Sequence, residues 1–121
     1  MTKSILVVED QEDNRQILRD LLGAAEYEMV EAENGQEALD AVAKKKPDLI
    51  LMDIQLPIMD GYEATRRIKA NPDWKAIPII VVTSYALSGD AEKARAAGCD
   101  DYVTKPYSPR QLLAKIREYL E

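Results

Sequence analysis

The 121-residue sequence contains no histidine. That absence excludes serine–histidine–aspartate and cysteine–histidine catalysis, histidine-ligated metals, and service as a phosphohistidine carrier. A single cysteine, Cys99, excludes an intrachain disulfide and a cysteine zinc cluster. Set in Ala96-Ala97-Gly98-Cys99, it reads as small packed filler. No apolar run is long enough to span a bilayer: the longest, Ile77 to Val82, has strand length and is interrupted by Pro78. No charged-then-apolar leader opens the sequence, so the cytoplasm is the expected location. An excess of positive charge is missing too. The net charge of −6 repels nucleic-acid phosphates and anionic lipid, which argues against a nucleic-acid or membrane partner. Neither Gly-x-x-x-x-Gly-Lys-Ser/Thr nor Gly-x-Gly-x-x-Gly occurs, which disfavours a nucleotide binder.

What is present fits one packed core. Apolar residues at 46% and charged residues at 31% lie in the range of globular proteins, and the length suits one domain, residues 1–121. Ser4-Ile5-Leu6-Val7-Val8 is almost wholly apolar, as befits a strand covered on both faces. Asp48 to Met52 and Ile77 to Val82 repeat that signature, with weaker versions at Tyr27 to Ala32 and Asp101 to Thr104. Between them lie helical stripes: Ile17, Leu18, Leu21 and Leu22; Ala38, Leu39 and Val42; Leu112, Leu113, Ile116 and Leu120. All of these are expected to face the core. Further helices are predicted over roughly Asp60 to Ala70 and Asp90 to Ala97, stopped by Asn71-Pro72 and Gly98. Asn34-Gly35 could open a hairpin, but Gln36 to Ala43 is rich in helix formers, so Asn34 is read as a helix cap. Strict alternation of five strands with five helices predicts an α/β fold, a parallel sheet with helices on both faces.

In such sheets ligands gather at the carboxyl ends of the strands. Those ends are polar here in a patterned way: Glu9 and Asp10 after the first strand, Asp53 after the third, Thr83 after the fourth, Lys105 after the fifth. Three acids from two strand ends repel one another unless a cation shares the site. Donors that are all oxygen suit a hard cation, Mg²⁺ before Ca²⁺, for which no EF-hand spacing exists. A carboxylate can also attack phosphorus to give an acyl phosphate. Phosphoryl transfer then needs charge neutralisation around three oxygens, which a metal, the Lys105 ammonium and the Thr83 hydroxyl would supply.

These blocks resemble the receiver domains of two-component response regulators. The matching residues are Glu9-Asp10, Asp53 within Leu51-Met52-Asp53-Ile54-Gln55-Leu56-Pro57-Ile58-Met59-Asp60-Gly61, Thr83-Ser84 and Lys105-Pro106, and the likeness runs from about Ser4 to Leu120. The resemblance implies a flavodoxin-like, doubly wound sheet of strand order 2-1-3-4-5. It implies that Asp53 is the phosphoacceptor, that Asp10, Asp53 and the main-chain carbonyl of Gln55 bind Mg²⁺ with Glu9 assisting, and that Lys105 pairs with the phosphoryl group. Lys105-Pro106 would be a cis peptide. Thr83 and Tyr102 would form the switch, acting on the surface of the fourth helix, fifth strand and fifth helix; Tyr107, Arg110 and Tyr119 are candidates for that face. Gln55 and Tyr85 occupy the variable positions expected to tune how fast the phosphoryl group is lost, and Trp74 is expected to pack.

The implied function is phosphorelay signalling, with a sensor histidine kinase or histidine phosphotransfer protein as donor and a downstream protein as target. The domain would catalyse only its own phosphorylation and dephosphorylation, as a monomer or a weak phosphorylation-dependent dimer. Ending at Leu120-Glu121, the sequence reads as a stand-alone regulator, although a receiver cut from a longer protein would look alike. The alternative is a Mg²⁺-dependent phosphatase with an aspartyl nucleophile. That class carries a second aspartate two residues after the nucleophile, where Gln55 stands.

Overall fold

The computed structural model describes residues 2–83 and 90–121. The elements follow in strict alternation: β1 (Ser4–Val8), α1 (Glu12–Ala24), β2 (Glu28–Ala32), α2 (Gly35–Lys44), β3 (Leu49–Asp53), α3 (Gly61–Ala70), β4 (Ile79–Thr83), α4 (Asp90–Ala97), β5 (Asp101–Thr104) and α5 (Pro109–Leu120). All strand pairs are parallel, in the order β2-β1-β3-β4-β5. The flavodoxin-like order expected from the resemblance is the order found.

The period-2 geometry of the strands divides the core into two layers. Ile5, Val7, Leu49, Leu51 and Ile80 point to one face and pack on Leu18 and Leu22 of α1 and Leu112 and Ile116 of α5. Leu6, Val8, Ile50, Met52, Ile79 and Val81 point to the other, against Ala38 and Val42 of α2, Ala64 and Ile68 of α3, and Ala94 of α4. Because β1, β3 and β4 are buried on both faces, apolar residues fill every position of these strands up to their ends, where polar side chains are tolerated. Each such side chain contributes about 1.5–3 kcal/mol of burial. Among the described residues no helix is long and apolar enough to cross a membrane.

Several expectations hold in detail. The Asn34 side chain accepts from the Glu37 N–H at 2.8 Å and caps α2. Gly98, at φ 101, ends α4 in the left-handed conformation, with Gly98 N–H donating to Arg95 O and Cys99 N–H to Ala94 O. Trp74 and Cys99 are half-buried against the second layer. Others shift. Ile77 and Pro78 precede β4 rather than opening it: proline has no N–H for the ladder, though the Pro78 carbonyl accepts from Ile50 N–H at 2.9 Å. Tyr27 lies before β2, buried, with its hydroxyl bonded to Glu121. Ile17 does not face the core. It is 53% exposed, because the buried line of α1 runs through Arg15, Leu18 and Leu22, and that phase turns Ile17 to the side.

Candidate functional site

The parallel register carries the polar strand ends to one edge of the sheet. Val8 lies opposite Met52, Asp53 opposite Val82, and Thr83 opposite Thr104, so the residues at or just after these ends share a rim. Glu9, Asp10 and Asp53 each present a carboxylate oxygen there, the three lying within 4.8 Å of one another. Lys105 arrives from the far side of the sheet. Its backbone N–H donates to Thr83 O at 2.7 Å, its bond to Pro106 is cis, and its Nζ donates to Glu9 Oε1 at 2.8 Å and to Asp53 Oδ2 at 3.1 Å.

The charges explain each other. Three carboxylates meet one ammonium, and Glu9 and Asp53 are both buried. Burial, then the neighbouring Glu9 charge, pushes the Asp53 carboxyl up to about 6, with Lys105 only partly opposing. Burial also works against Glu9, but the closer hydrogen bond from Lys105 and another from Gln11 N–H, at 3.1 Å, hold its carboxyl below the usual range. Lys105 is itself raised: burial disfavours its charge, and Glu9 and Asp53 together outweigh that. The site retains excess negative charge on oxygen donors alone, which is the chemistry of a hard divalent cation such as Mg²⁺.

The loop after Asp53 is shaped by two glycines and one strained turn. Gly61 N–H donates to Ile54 O at 3.0 Å, and a Cβ at Gly61 would overlap the Asp53 carbonyl oxygen, so only glycine lets α3 start this close to Asp53. Gly35 N–H donates to Met59 O at 3.0 Å, and a Cβ there would stand 2.5 Å from the same oxygen. Between them, Met59 N–H reaches back to Pro57 O at 2.7 Å across Ile58, whose φ is 68. That is a γ-turn of the rarer positive-φ kind, occupied by a β-branched residue that is 84% exposed. Gln55 is exposed, and its N–H donates to Asp53 Oδ1 at 3.3 Å. Asp60 caps α3 through Glu63 N–H at 2.9 Å.

Thr83 is buried at the end of β4, on the same rim. Tyr102 is half-buried on the edge strand β5 and packs on the layer that includes α3 and α4. Tyr107 lines a groove of about 550 Å³ between α1 and the start of α5. Ile17, Asn14 and Pro106 also line that groove, and Asp53, Glu9 and Lys105 open into it. Tyr119 donates its hydroxyl to Asp100 O at 3.0 Å, beside β5, while Arg110 is exposed at the start of α5. Tyr85 and Ser84 lie outside the described residues. One residue at the site escaped sequence reasoning: Arg15 is buried, with Nη1 donating to Glu9 O at 2.8 Å. Its spacing of three and seven residues from Leu18 and Leu22 already placed it on the inner face of α1.

Comparison with known proteins agrees with this geometry. The family described as response regulator receiver domain matches residues 5–117. The polar-differentiation response regulator DivK of Brucella anthropi is 45% identical over 120 residues, covering 99% of this chain and 98% of the relative; that of Brucella ovis is equally similar. Among solved structures, the receiver domain of a sensor histidine kinase from Pseudomonas aeruginosa, with a magnesium ion coordinated in its active-site cleft, superposes with a TM-score of 0.92 at 34% identity, covering 99% of this chain and 98% of that one. The chemotaxis protein CheY4 of Vibrio cholerae gives 0.92 at 28% identity, covering 98% and 99%. With the family matched over most of its length and five parallel strands in the order β2-β1-β3-β4-β5, this chain belongs to the response regulator receiver domains of two-component signalling.

Proposed function

We propose that the whole chain, residues 1–121, works as one receiver whose phosphoacceptor is Asp53. The donor is the phosphohistidine of a sensor histidine kinase or a histidine phosphotransfer protein. In the transfer an Asp53 carboxylate oxygen bonds to phosphorus as the phosphorus–nitrogen bond breaks, and the electron pair returns to the donor imidazole. Glu9, Asp10, Asp53 and the main-chain carbonyl of Gln55 would hold Mg²⁺, which when bound neutralises charge on the phosphoryl oxygens. Lys105, already bonded to Asp53, is placed to follow the new phosphoryl oxygens as charge builds on them.

The observation that carries this reading is the meeting of Glu9, Asp10, Asp53 and Lys105 at one strand-end rim. The groove beside Asp53 supports a protein donor, since its apolar walls and the exposed Ile17 give another chain something to bury on approach. Phosphorylation adds roughly −1.5 to −2 charges. Thr83 would answer that change with its hydroxyl and Tyr102 by moving inward, altering the α4–β5–α5 surface for a downstream protein partner. Gln55 and Tyr85 would set the rate at which the phosphoryl group is lost. The chain so read catalyses only its own phosphorylation and dephosphorylation, in the cytoplasm, as a monomer or a weak phosphorylation-dependent dimer, and binds neither nucleic acid nor membrane.

A small-molecule phosphodonor with Mg²⁺ tests the assignment. Intact-mass measurement should find one hydroxylamine-labile phosphoryl group on the wild type and none on Asp53→Asn. Equal labelling of the two proteins overturns the acceptor.

A further inference from the structure

Among the described residues three charged side chains are buried: Glu9, Asp53 and Arg15. The first two belong to the rim. Burying the third costs free energy unless every part of the guanidinium is paired, so its surroundings call for a reason.

Arg15 is held in three directions at once. Nε donates to Glu31 Oε1 of β2 at 3.1 Å, Nη2 to Glu12 Oε2 of its own helix at 2.5 Å, and Nη1 to the backbone carbonyl of Glu9 at 2.8 Å. The last of these falls within the turn that carries the acids. The Glu9 carbonyl and the Asp10 N–H belong to one planar peptide unit. Fixing that oxygen therefore fixes the plane from which the Asp10 side chain departs. The other face of the turn is pinned as well: Glu9 N–H donates to Ala32 O at 2.9 Å, continuing the β1–β2 ladder, and Gln11 N–H donates to the Glu9 carboxylate. Without Arg15 the Glu9 carbonyl would lose its buried donor and the peptide plane would be free to tilt.

We propose that Arg15 is a positioning residue for the cation site: by holding the Glu9 carbonyl it aims Asp10 at the point where Glu9, Asp10 and Asp53 converge. The proposal rests on the reading that this cluster binds Mg²⁺. Each acceptor is met by a different nitrogen of the planar fork, an arrangement that the single nitrogen of a lysine at this position would not reproduce. Charge alone would act the other way, because a nearby cation repels the metal.

Isothermal titration calorimetry of the full chain with Mg²⁺ separates these effects. Arg15→Lys keeps the charge and loses the fork; Arg15→Met loses both; Arg19→Gln removes an arginine that pairs with the same Glu12 and Glu31 and makes no bond to Glu9. Both Arg15 variants should bind Mg²⁺ about tenfold more weakly than the wild type, the usual effect of removing a group that orients a metal ligand. Arg19→Gln should stay within about twofold. NMR should show the Asp10 amide displaced in both Arg15 variants before any metal is added. In the wild type, the Arg15 side-chain resonances should move during Mg²⁺ titration with the same midpoint as the Asp10 amide, a readout that stands even where an Arg15 variant fails to fold. Arg15→Lys binding like the wild type, tighter binding by Arg15→Met, or Arg15 resonances that ignore Mg²⁺ would each overturn the proposal. A wild type that binds no Mg²⁺ at all would instead overturn the functional reading beneath it.

Discussion

Two lysines bridge distant parts of the chain at opposite ends of the sheet, and they differ in what they leave unbalanced. Lys69, at the amino-terminal end, donates to Lys75 O at 3.0 Å, Ile77 O at 2.7 Å and Asp100 Oδ2 at 2.7 Å. Three donors meet three acceptors, and one positive charge meets one negative. Asp100 in turn accepts from Ile79 N–H at 2.8 Å, so α3, the loop after it and the α4–β5 turn are stitched together with nothing left over. Lys105, at the carboxyl-terminal end, meets Glu9 and Asp53 while Asp10 stands alongside, so one cation faces three anions. A saturated lysine closes a structure, and an outnumbered one leaves a site that a further cation or a phosphoryl group can complete.

The sharpest way to break the comparison is to replace each lysine with an apolar residue of similar length. Lys105→Met should slow phosphorylation by a small donor roughly 100-fold, as the loss of one charge-stabilising donor typically does. It should not weaken Mg²⁺ binding, because Lys105 competes with the metal for Glu9 and Asp53. Stopped-flow phosphorylation and calorimetry on the same sample check both. Lys69→Met should do the reverse. Chemical denaturation should show a loss of about 2 kcal/mol, from carbonyls and a carboxylate deprived of a charged donor and discounted for the partial exposure of Asp100. Its phosphorylation rate should match the wild type. A Lys69 variant that phosphorylates slowly, or a Lys105 variant that merely unfolds, would erase the distinction.

A finer test uses pH at the outnumbered end. Asp53, with its carboxyl raised to about 6 in the folded chain from 3.8, binds its proton more tightly folded than unfolded. Its ionisation therefore costs stability as pH rises from about 4 through 6, and below 4 the penalty is absent in both states. Asp53→Asn removes that penalty. In metal-free buffer the variant should be about 1–2 kcal/mol more stable than the wild type at pH 7. The gain should shrink toward zero at pH 4 and under saturating Mg²⁺. Thermal unfolding at the two pH values is sufficient. Equal gains at both would trace the effect to something other than the buried charge.

Much of this was legible beforehand, for reasons that particular residues make plain. β1, β3 and β4 announce themselves because strands covered on both faces leave little room for polar side chains, and polar residues appear where the strands end. Parallel alternation then delivers Glu9, Asp10, Asp53, Thr83 and Lys105 to one edge whatever the loop details. Asn34 reads as a cap because its bond to Glu37 N–H is local. The less legible parts depend on partners far along the chain. Lys69 is an ordinary helix-end lysine until Asp100 is brought beside it. Arg15 occupies an inner-face position that usually takes an apolar side chain, and Glu31 of β2 and the Glu9 carbonyl make its burial tolerable. The exposure of Ile17 follows from the phase of the buried line of α1, which runs through positions 15, 18 and 22 and turns position 17 to the side.

The division of β3 between two core layers limits how chains of this design can vary in length. Leu49 and Leu51 lean toward α1 and α5, Ile50 and Met52 toward α2, α3 and α4, and Asp53, two residues beyond Leu51, opens into the groove on the first side. One residue inserted within the strand would turn every side chain after it to the opposite face, sending the Asp53 carboxylate toward the layer of α2, α3 and α4. Two would restore the facing but drive Asp53 past Lys105. Insertions that keep Asp53 in place are therefore confined to connections away from this edge, such as the turn between α1 and β2. The distance in sequence from the β3 core to Asp53 is fixed by the pleat itself.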